Sequence, residues 1–173
     1  MEAIEALITR RSVRAFAWQQ VTEEQIDTLL KVAVAAPSAG NCQPWRIVVV
    51  QGSEARLGLA RAALDQMFVA EAPVVFVVCA VPEDSAWRYG RRGESLYCLQ
   101  DTGALTENLL VAAHAIGLGG CWVGAFDEAA AARVLNLPSG TRPVALVPIG
   151  YPRDRSPKPS RRPMSEVVQR ILS

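Results

Sequence analysis

The chain has a single histidine, His114, and four cysteines in 173 residues. Cys42, Cys79, Cys98 and Cys121 are far apart, form no C-x-x-C, and are not spaced to share a metal with that histidine. Neither a zinc site nor a disulfide framework is expected, only buried free thiols. Shortage of histidine also disfavours a serine hydrolase: Ser38 has no evident base, because His114 falls in an apolar helical run and is expected to be packed there, and no G-x-S-x-G is present. Net charge is only +1, so nothing global points to nucleic acid or an anionic membrane. Long apolar runs are missing too. Val74 to Val81 falls far short of the roughly 18 residues a spanning helix needs. The opening MEAIEALITRR has no basic leader followed by an apolar stretch, so no signal peptide is expected and the protein is expected to be cytoplasmic.

What is present is a core. Half of the residues are hydrophobic, and the length suits one domain spanning 1–173. Charge is uneven: Arg153, Arg155, Lys158, Arg161, Arg162 and Arg170 face only Asp154 and Glu166 beyond Tyr151. This prolines-and-arginine tail, 151–173, is expected to be extended, to end in a short helix from about Ser165, and to lie on this subunit or a neighbour.

Apolar spacing predicts a helix over 2–9. A Thr22/Gln25 capping box predicts a second over about 23–35. WRIVVV (45–50) and PVVFVVCAV (73–81) read as buried strands, CWVGAF (121–126) as a third and RPVALVPIGYP (142–152) as a fourth. Ser53 is expected to cap a helix to about Met67, residues 82–93 to form a polar surface loop, and 94–116 to form one long helix, apolar on most sides. Asp127 is expected to cap a short helix ending at Pro138. The fold class is α+β, a small central sheet between helices.

No side-chain constellation suggests nucleophilic or acid–base chemistry. In GLGGCWVG the third position of a G-x-G-x-x-G is Trp122, and the order is helix then strand, the reverse of a dinucleotide-binding turn. Asp101 and Glu107, six apart, do not share a helix face. Chemistry carried by a bound cofactor is therefore favoured. Three polar stretches beside core elements remain: RRSVR (10–14), APSAGNCQPW (36–45) and KPSRRP (158–163). Clustered arginines without acidic neighbours in sequence suit phosphate, which they bind in planar bidentate pairs. Arg10 and Arg11 could equally answer the dipole of a helix end; Arg14 lies beyond it. The middle stretch could be an ordinary helix-to-strand loop.

Taken together, R-R-S-V-R-x-F, A-P-S-A-G-N-x-Q-P-W-R-I-V-V-V, A-P-V-V-F-V-V, L-L-V-A-A-H-A-I-G-L-G, C-W-V-G-A-F, P-V-A-L-V-P-I-G-Y-P and R-R-P cover nearly the whole chain. In that order they resemble the nitroreductase family of FMN-dependent oxidoreductases, in a short form. The resemblance implies a three-layer α/β/α fold with a small mixed or antiparallel sheet, and an intertwined homodimer with two FMN sites at its interface. The 94–116 helix would be shared between subunits and the tail would wrap the partner. It implies that Arg10, Arg11 and Ser12 hold the FMN phosphate and ribityl chain, with Arg161 joining them and Lys158 a weaker candidate. Arg14 would lie by the pyrimidine end of the flavin, where a cation favours reduction. Pro37, Ser38, Ala39 and Asn41 would line the flavin from the other subunit, and Trp122, Val123 and Gly124 would run along its remaining face. The implied activity takes hydride from NADH or NADPH through flavin N5 to a nitroaromatic or quinone, with no catalytic side chain. Alternatives are a specialised FMN-dependent dehydrogenase or oxidase of a biosynthetic pathway, or a flavin-binding protein without turnover. No role is assigned to Cys42.

Overall fold

A computed structural model of the protein describes residues 1–153 and 157–171. Asp154 and Arg155 of the tail lie outside the described residues. Helix α1 (Ala3–Thr9) and α2 (Glu23–Ala33) precede β1 (Trp45–Val50). Then come α3 (Ser53–Ala62), α4 (Phe68–Glu71), β2 (Val74–Ala80), α5 (Pro82–Arg92), α6 (Cys98–Ala115), β3 (Gly119–Gly120), α7 (Glu128–Val134), β4 (Arg142–Gly150) and α8 (Met164–Val167). The sheet order is β1-β2-β4-β3, antiparallel at each pairing.

β2 is buried at every position. That is why it reads as an unbroken apolar run: both of its faces are covered. One face carries Val74, Phe76 and Val78 against Leu29 of α2 and Leu105 and Leu109 of α6. The other carries Val75, Val77 and Cys79 against Leu59 of α3 and Ala131 of α7. Two helical layers therefore enclose the sheet, as the resemblance implies.

The capping box at α2 forms as expected. Gln25 N–H donates to the Thr22 hydroxyl at 3.2 Å, and Thr22 N–H donates to the Gln25 side chain at 3.0 Å. Asp127 caps α7 through Ala130 N–H at 2.9 Å. That helix ends at Val134 rather than at Pro138, because Asn136 turns to φ 49°. α3 stops at Ala62 rather than near Met67, with Leu64 and Asp65 at φ 58° and 59°. Its N-cap is Gly52, which makes no side-chain bond, so Ser53 is not the cap.

Residues 82–93 are not a loop. α5 starts with Pro82 in its first turn, carries Glu83 and Asp84 there, and is interrupted at Gly90 (φ 54°) before its last residues, Arg91 and Arg92. Its early proline and acids match the N-terminal end of the helix dipole, and a polar helix needs no apolar stripe where it stands at the surface. The expected 94–116 helix begins as a π-helical turn, Gly93–Tyr97, and becomes α-helical at Cys98. The third strand is shorter and earlier than 121–126. Only Gly119 and Gly120 pair with β4 in a ladder, and Val123 adds a lone bridge to Leu146. Beyond Gly120 the chain alternates buried Cys121 and Val123 with exposed Trp122 and Gly124, and it stays against β4, Cys121 N–H donating to the Pro148 carbonyl at 3.3 Å and Val123 and Leu146 exchanging bonds at 2.9 and 3.0 Å. Among the described residues, no helix is long and apolar enough to cross a membrane.

Candidate functional site

RRSVR leaves α1 and lies along the sheet edge. Val13 N–H donates to the Gly120 carbonyl at 2.9 Å, and Ser12 bridges Gly120 in parallel. Only glycine fits here: a Cβ on Gly119 would stand 2.5 Å from the Val13 side chain. Val13 and Phe16 turn into the core, and so Ser12 and Arg14 are left outside. This alternation places Ser12 and Arg14 beside Cys121, whose thiol is pushed up by burial and pulled back by both neighbours. It also brings them to the start of 122–124. Trp122 lies over Gly103 of α6, and Arg14 stands 6.0 Å from the centre of the Phe68 ring.

Arg10 does have an acidic partner, one that sequence neighbourhood could not reveal. Its guanidinium contacts the Glu107 carboxylate of α6 at 3.1 Å. A guanidinium has five N–H donors, so one carboxylate does not exhaust it. Beside it, His114 Nε2 is 2.8 Å from the Thr9 hydroxyl. That hydroxyl donates its proton to the Glu5 carbonyl at 2.7 Å, which makes His114 the donor and fixes its neutral tautomer. Burial lowers the His114 pKa, and Arg10 and Arg11 lower it further.

The tail returns to the same edge. Phe16 bridges Pro152, and Arg153 N–H donates to the Ala15 carbonyl at 2.9 Å. The Lys158 ammonium donates to the Ile8 carbonyl at the end of α1. Arg161, three residues on, is exposed and donates to the Pro159 carbonyl at 3.2 Å.

The 37–41 loop is held elsewhere. Ala39 N–H donates to Asp101 of α6, and Gly40, at φ 55°, accepts from Arg88 of α5 at 3.0 Å. Gln43 N–H donates to the Ser38 hydroxyl at 3.0 Å. Asp101 and Glu107 are six residues apart on one helix, about 9 Å along the axis and roughly 120° around it. The two anchors therefore hold the arginine edge and the APSAGN loop to different sides of α6. The structure brings Ser12 and Arg14 to the start of 122–124, with Arg11 next to Ser12 in the chain and Arg10 tied to Glu107, about one turn of α6 from the Gly103 over which Trp122 lies. It does not bring Pro37, Ser38, Ala39 and Asn41 to them within one chain. Arg88 and Tyr89 carry no sequence signal because they fall in the polar stretch expected as a loop, and Glu107 carries none because its pairing is tertiary.

The nitroreductase family model matches residues 7–73 and 66–151. The chain is 31% identical to the NADH dehydrogenase of Thermus thermophilus, covering 97% of this chain and 95% of that protein. It is 31% identical to the NADPH-flavin oxidoreductase of Vibrio harveyi, over 95% of this chain and 71% of that protein. The crystal structure of the Vibrio harveyi NADPH:FMN oxidoreductase with NAD+ superposes with a TM-score of 0.89 at 29% identity, covering 99% of this chain and 77% of that one.

Proposed function

The chain belongs to the nitroreductase family, and from that membership we propose that it is an FMN-dependent oxidoreductase. It takes hydride from NADH or NADPH and gives it to an electron-poor acceptor of nitroaromatic or quinone type. FMN, when bound, supplies the reversible two-electron chemistry. The residues present fit that group: Arg10, Arg11, the Ser12 hydroxyl and Arg14 form a donor set for a phosphate and an electron-rich ring edge. The region around Gly124 is open, the nearest outside atom to a Cβ there being Trp122 Nε1 at 3.9 Å. Arg10, Arg11 and Ser12 bind the phosphate end, and Arg161 reaches the same end from the tail. Arg14 presents its charge to the pyrimidine edge. Trp122, Val123 and Gly124 line one face, and the backbone N–H of the exposed Gly124 is the candidate donor there.

The site is completed by a second copy of the chain, which brings Pro37, Ser38, Ala39 and Asn41. The single observation that carries this reading is the division of the site residues across α6, the arginine edge tied to Glu107 and the loop to Asp101. Surface area agrees. The accessible area is 10095 Å², against roughly 8,300 Å² for a compact monomer of this mass. Large apolar side chains stand in water on two segments: Ile4, Leu7 and Ile8 of α1, and Met164, Val167, Val168 and Ile171 of the tail. Exposed apolar side chains in such number suit a subunit interface.

The test is the absorption spectrum of the purified protein before and after anaerobic NADPH, followed by turnover with nitrofurazone and menadione. Flavin bands that bleach with NADPH and return with either acceptor are expected. A colourless protein that takes up no FMN overturns the reading. Flavin that bleaches but serves neither acceptor redirects it to a specialised reaction.

A further inference from the structure

α5 and the π-helical turn after it carry a cluster that the reading above leaves unused. Arg88 stands 5.6 Å from the centre of the Tyr89 ring, and its guanidinium donates to the Gly40 carbonyl. Tyr89 and Tyr97 meet edge to face at 5.2 Å. Arg92 stands 5.3 Å from the centre of the Tyr97 ring and donates to its hydroxyl at 2.9 Å. Trp87 is 76% exposed next to them. Arg88, Arg91 and Arg92 are all exposed. Among the described residues the ion pairs are Arg10–Glu107, Arg46–Asp84 and Arg142–Glu128, so none of these three arginines meets a carboxylate. Three guanidinium groups within five positions, partnered at most by a carbonyl, a hydroxyl and ring faces, retain their demand for an anion. Gly90, at φ 54°, breaks α5 before Arg91 and Arg92, so the helix dipole accounts for neither of them.

Place supplies the second half of the argument. The cluster is fastened to Gly40, between Ala39 and Asn41, the residues proposed to line the flavin. It therefore forms the rim of that site. A dinucleotide whose nicotinamide reaches the flavin must carry its adenosine end outward over such a rim. Tyrosine and tryptophan rings suit adenine, and spare arginines suit a phosphomonoester.

We propose that Arg88, Arg91 and Arg92, with Tyr89 and Tyr97, form the subsite for the 2′-phosphorylated adenosine end of NADPH, so that this chain prefers NADPH to NADH. This rests on the proposed NAD(P)H oxidoreductase reading and deepens it. Arg88 and Tyr97 act partly as positioning residues: one ties the cluster to the loop, the other holds Arg92.

The test is direct binding to the protein as purified, by calorimetry at low salt. The probes are 2′,5′-ADP, 5′-AMP and inorganic phosphate. Tighter binding of 2′,5′-ADP than of 5′-AMP by tenfold or more is expected, with the difference collapsing to under threefold in an Arg91→Ala/Arg92→Ala double variant. Both side chains are exposed, so the fold is not at stake, and Arg88 keeps its hold on Gly40. Equal affinities in the unaltered protein, phosphate binding as tightly as 2′,5′-ADP, or a preference that survives the double substitution each overturn the subsite. The flavin spectrum separates this failure from failure of the function: a yellow protein that oxidises NADH yet does not discriminate the two nucleotides loses only the subsite.

Discussion

The backbone N–H of Ala39 donates to both carboxylate oxygens of Asp101, at 3.1 and 3.2 Å. Asp101 is a buried residue of α6, and this contact ties the APSAGN loop to the central helix. Burial pushes its carboxyl above the ordinary 3.8, with the Ala39 N–H pulling part of the way back. The folded state therefore holds that proton more tightly than the unfolded chain does. Its contribution is full below the ordinary carboxylate pKa and is lost as pH rises through the folded value. Asp101→Asn keeps a neutral acceptor, so its urea midpoint should vary less between acid and neutral pH than that of the unaltered protein. Asp101→Ala leaves the Ala39 N–H unpaired and should cost about 1–3 kcal/mol. Urea melts of both variants across that range check the pair of expectations; an Asp101→Ala protein with the normal midpoint would remove the anchor.

Gly40 sits at φ 55°, and a Cβ there would stand 2.4 Å from the Tyr89 hydroxyl and 2.9 Å from the Arg88 guanidinium carbon. Gly140 has φ 81° with nothing within 4 Å. Gly140→Ala meets only the left-handed backbone penalty, about 1–2 kcal/mol. Gly40→Ala meets that penalty and must also displace Tyr89 and Arg88. Its melting temperature should fall further than that of Gly140→Ala, and thermal melts side by side decide it. Equal losses would mean that α5 does not press on the loop.

The parts of the fold that could be read from the sequence are those where local chemistry and tertiary structure agree. β1 and β2 are β-branched runs with both ends punctuated, and the Thr22/Gln25 box announces α2 within four residues. α5 is hidden in the sequence because its signals are polar: a helix announced by Pro82 and two early acids, and interrupted at Gly90, looks like a loop when apolar periodicity is the guide. The strand expected at 121–126 failed for the opposite reason. Cys121 and Val123 are buried and bonded to β4, yet the regular ladder ends at Gly120 and only a lone bridge at Val123 follows it. At the site, the residue types of RRSVR and APSAGN point to an anion and a flat surface. The Arg10–Glu107 and Ala39–Asp101 contacts, separated by 97 and 62 positions, could come only from the folded chain.

Arg10 is shared between Glu107 and the proposed phosphate. Arg10→Ala and Arg161→Ala each remove a charge-assisted partner worth about 1.5–3 kcal/mol, and FMN dissociation constants, read from the quenching of flavin fluorescence, should rise roughly tenfold or more. Glu107→Gln removes the competing charge while keeping a hydrogen-bond acceptor, and should leave FMN bound at least as tightly as before. Unchanged affinity in both arginine variants would remove the phosphate assignment. Weaker binding in Glu107→Gln would instead mark Glu107 as an orienter of Arg10.

His114 titrates below its ordinary value, first through burial and then through the charges of Arg10 and Arg11. Its charged form is therefore disfavoured in the fold, despite the pull of Glu5. Stability from this residue is present above the unfolded value of about 6.5 and is lost as pH falls toward the folded one. His114→Gln keeps an N–H for the Thr9 hydroxyl and cannot titrate. Its denaturation midpoint should be flatter with pH just below 6.5 than that of the unaltered protein. A parallel curve would show that the imidazole is as freely hydrated in the fold as in the unfolded chain.

α1 buries only Ala6 within its own chain. Ile4, Leu7 and Ile8 stand 72, 53 and 63% exposed, an apolar stripe that a lone protomer leaves in water. Covering what remains exposed of three such side chains contributes about 1–2 kcal/mol each, enough to matter for a subunit contact. Ile8→Glu places a charge on that stripe without touching the core, so the protomer should fold as before by circular dichroism while its sedimentation mass halves. FMN should be lost in the same variant, because the arginine edge and the 37–41 loop would then belong to separated chains. A monomeric Ile8→Glu protein that still holds FMN with normal affinity would show that one chain closes the site alone. That would contradict the division of the site across α6.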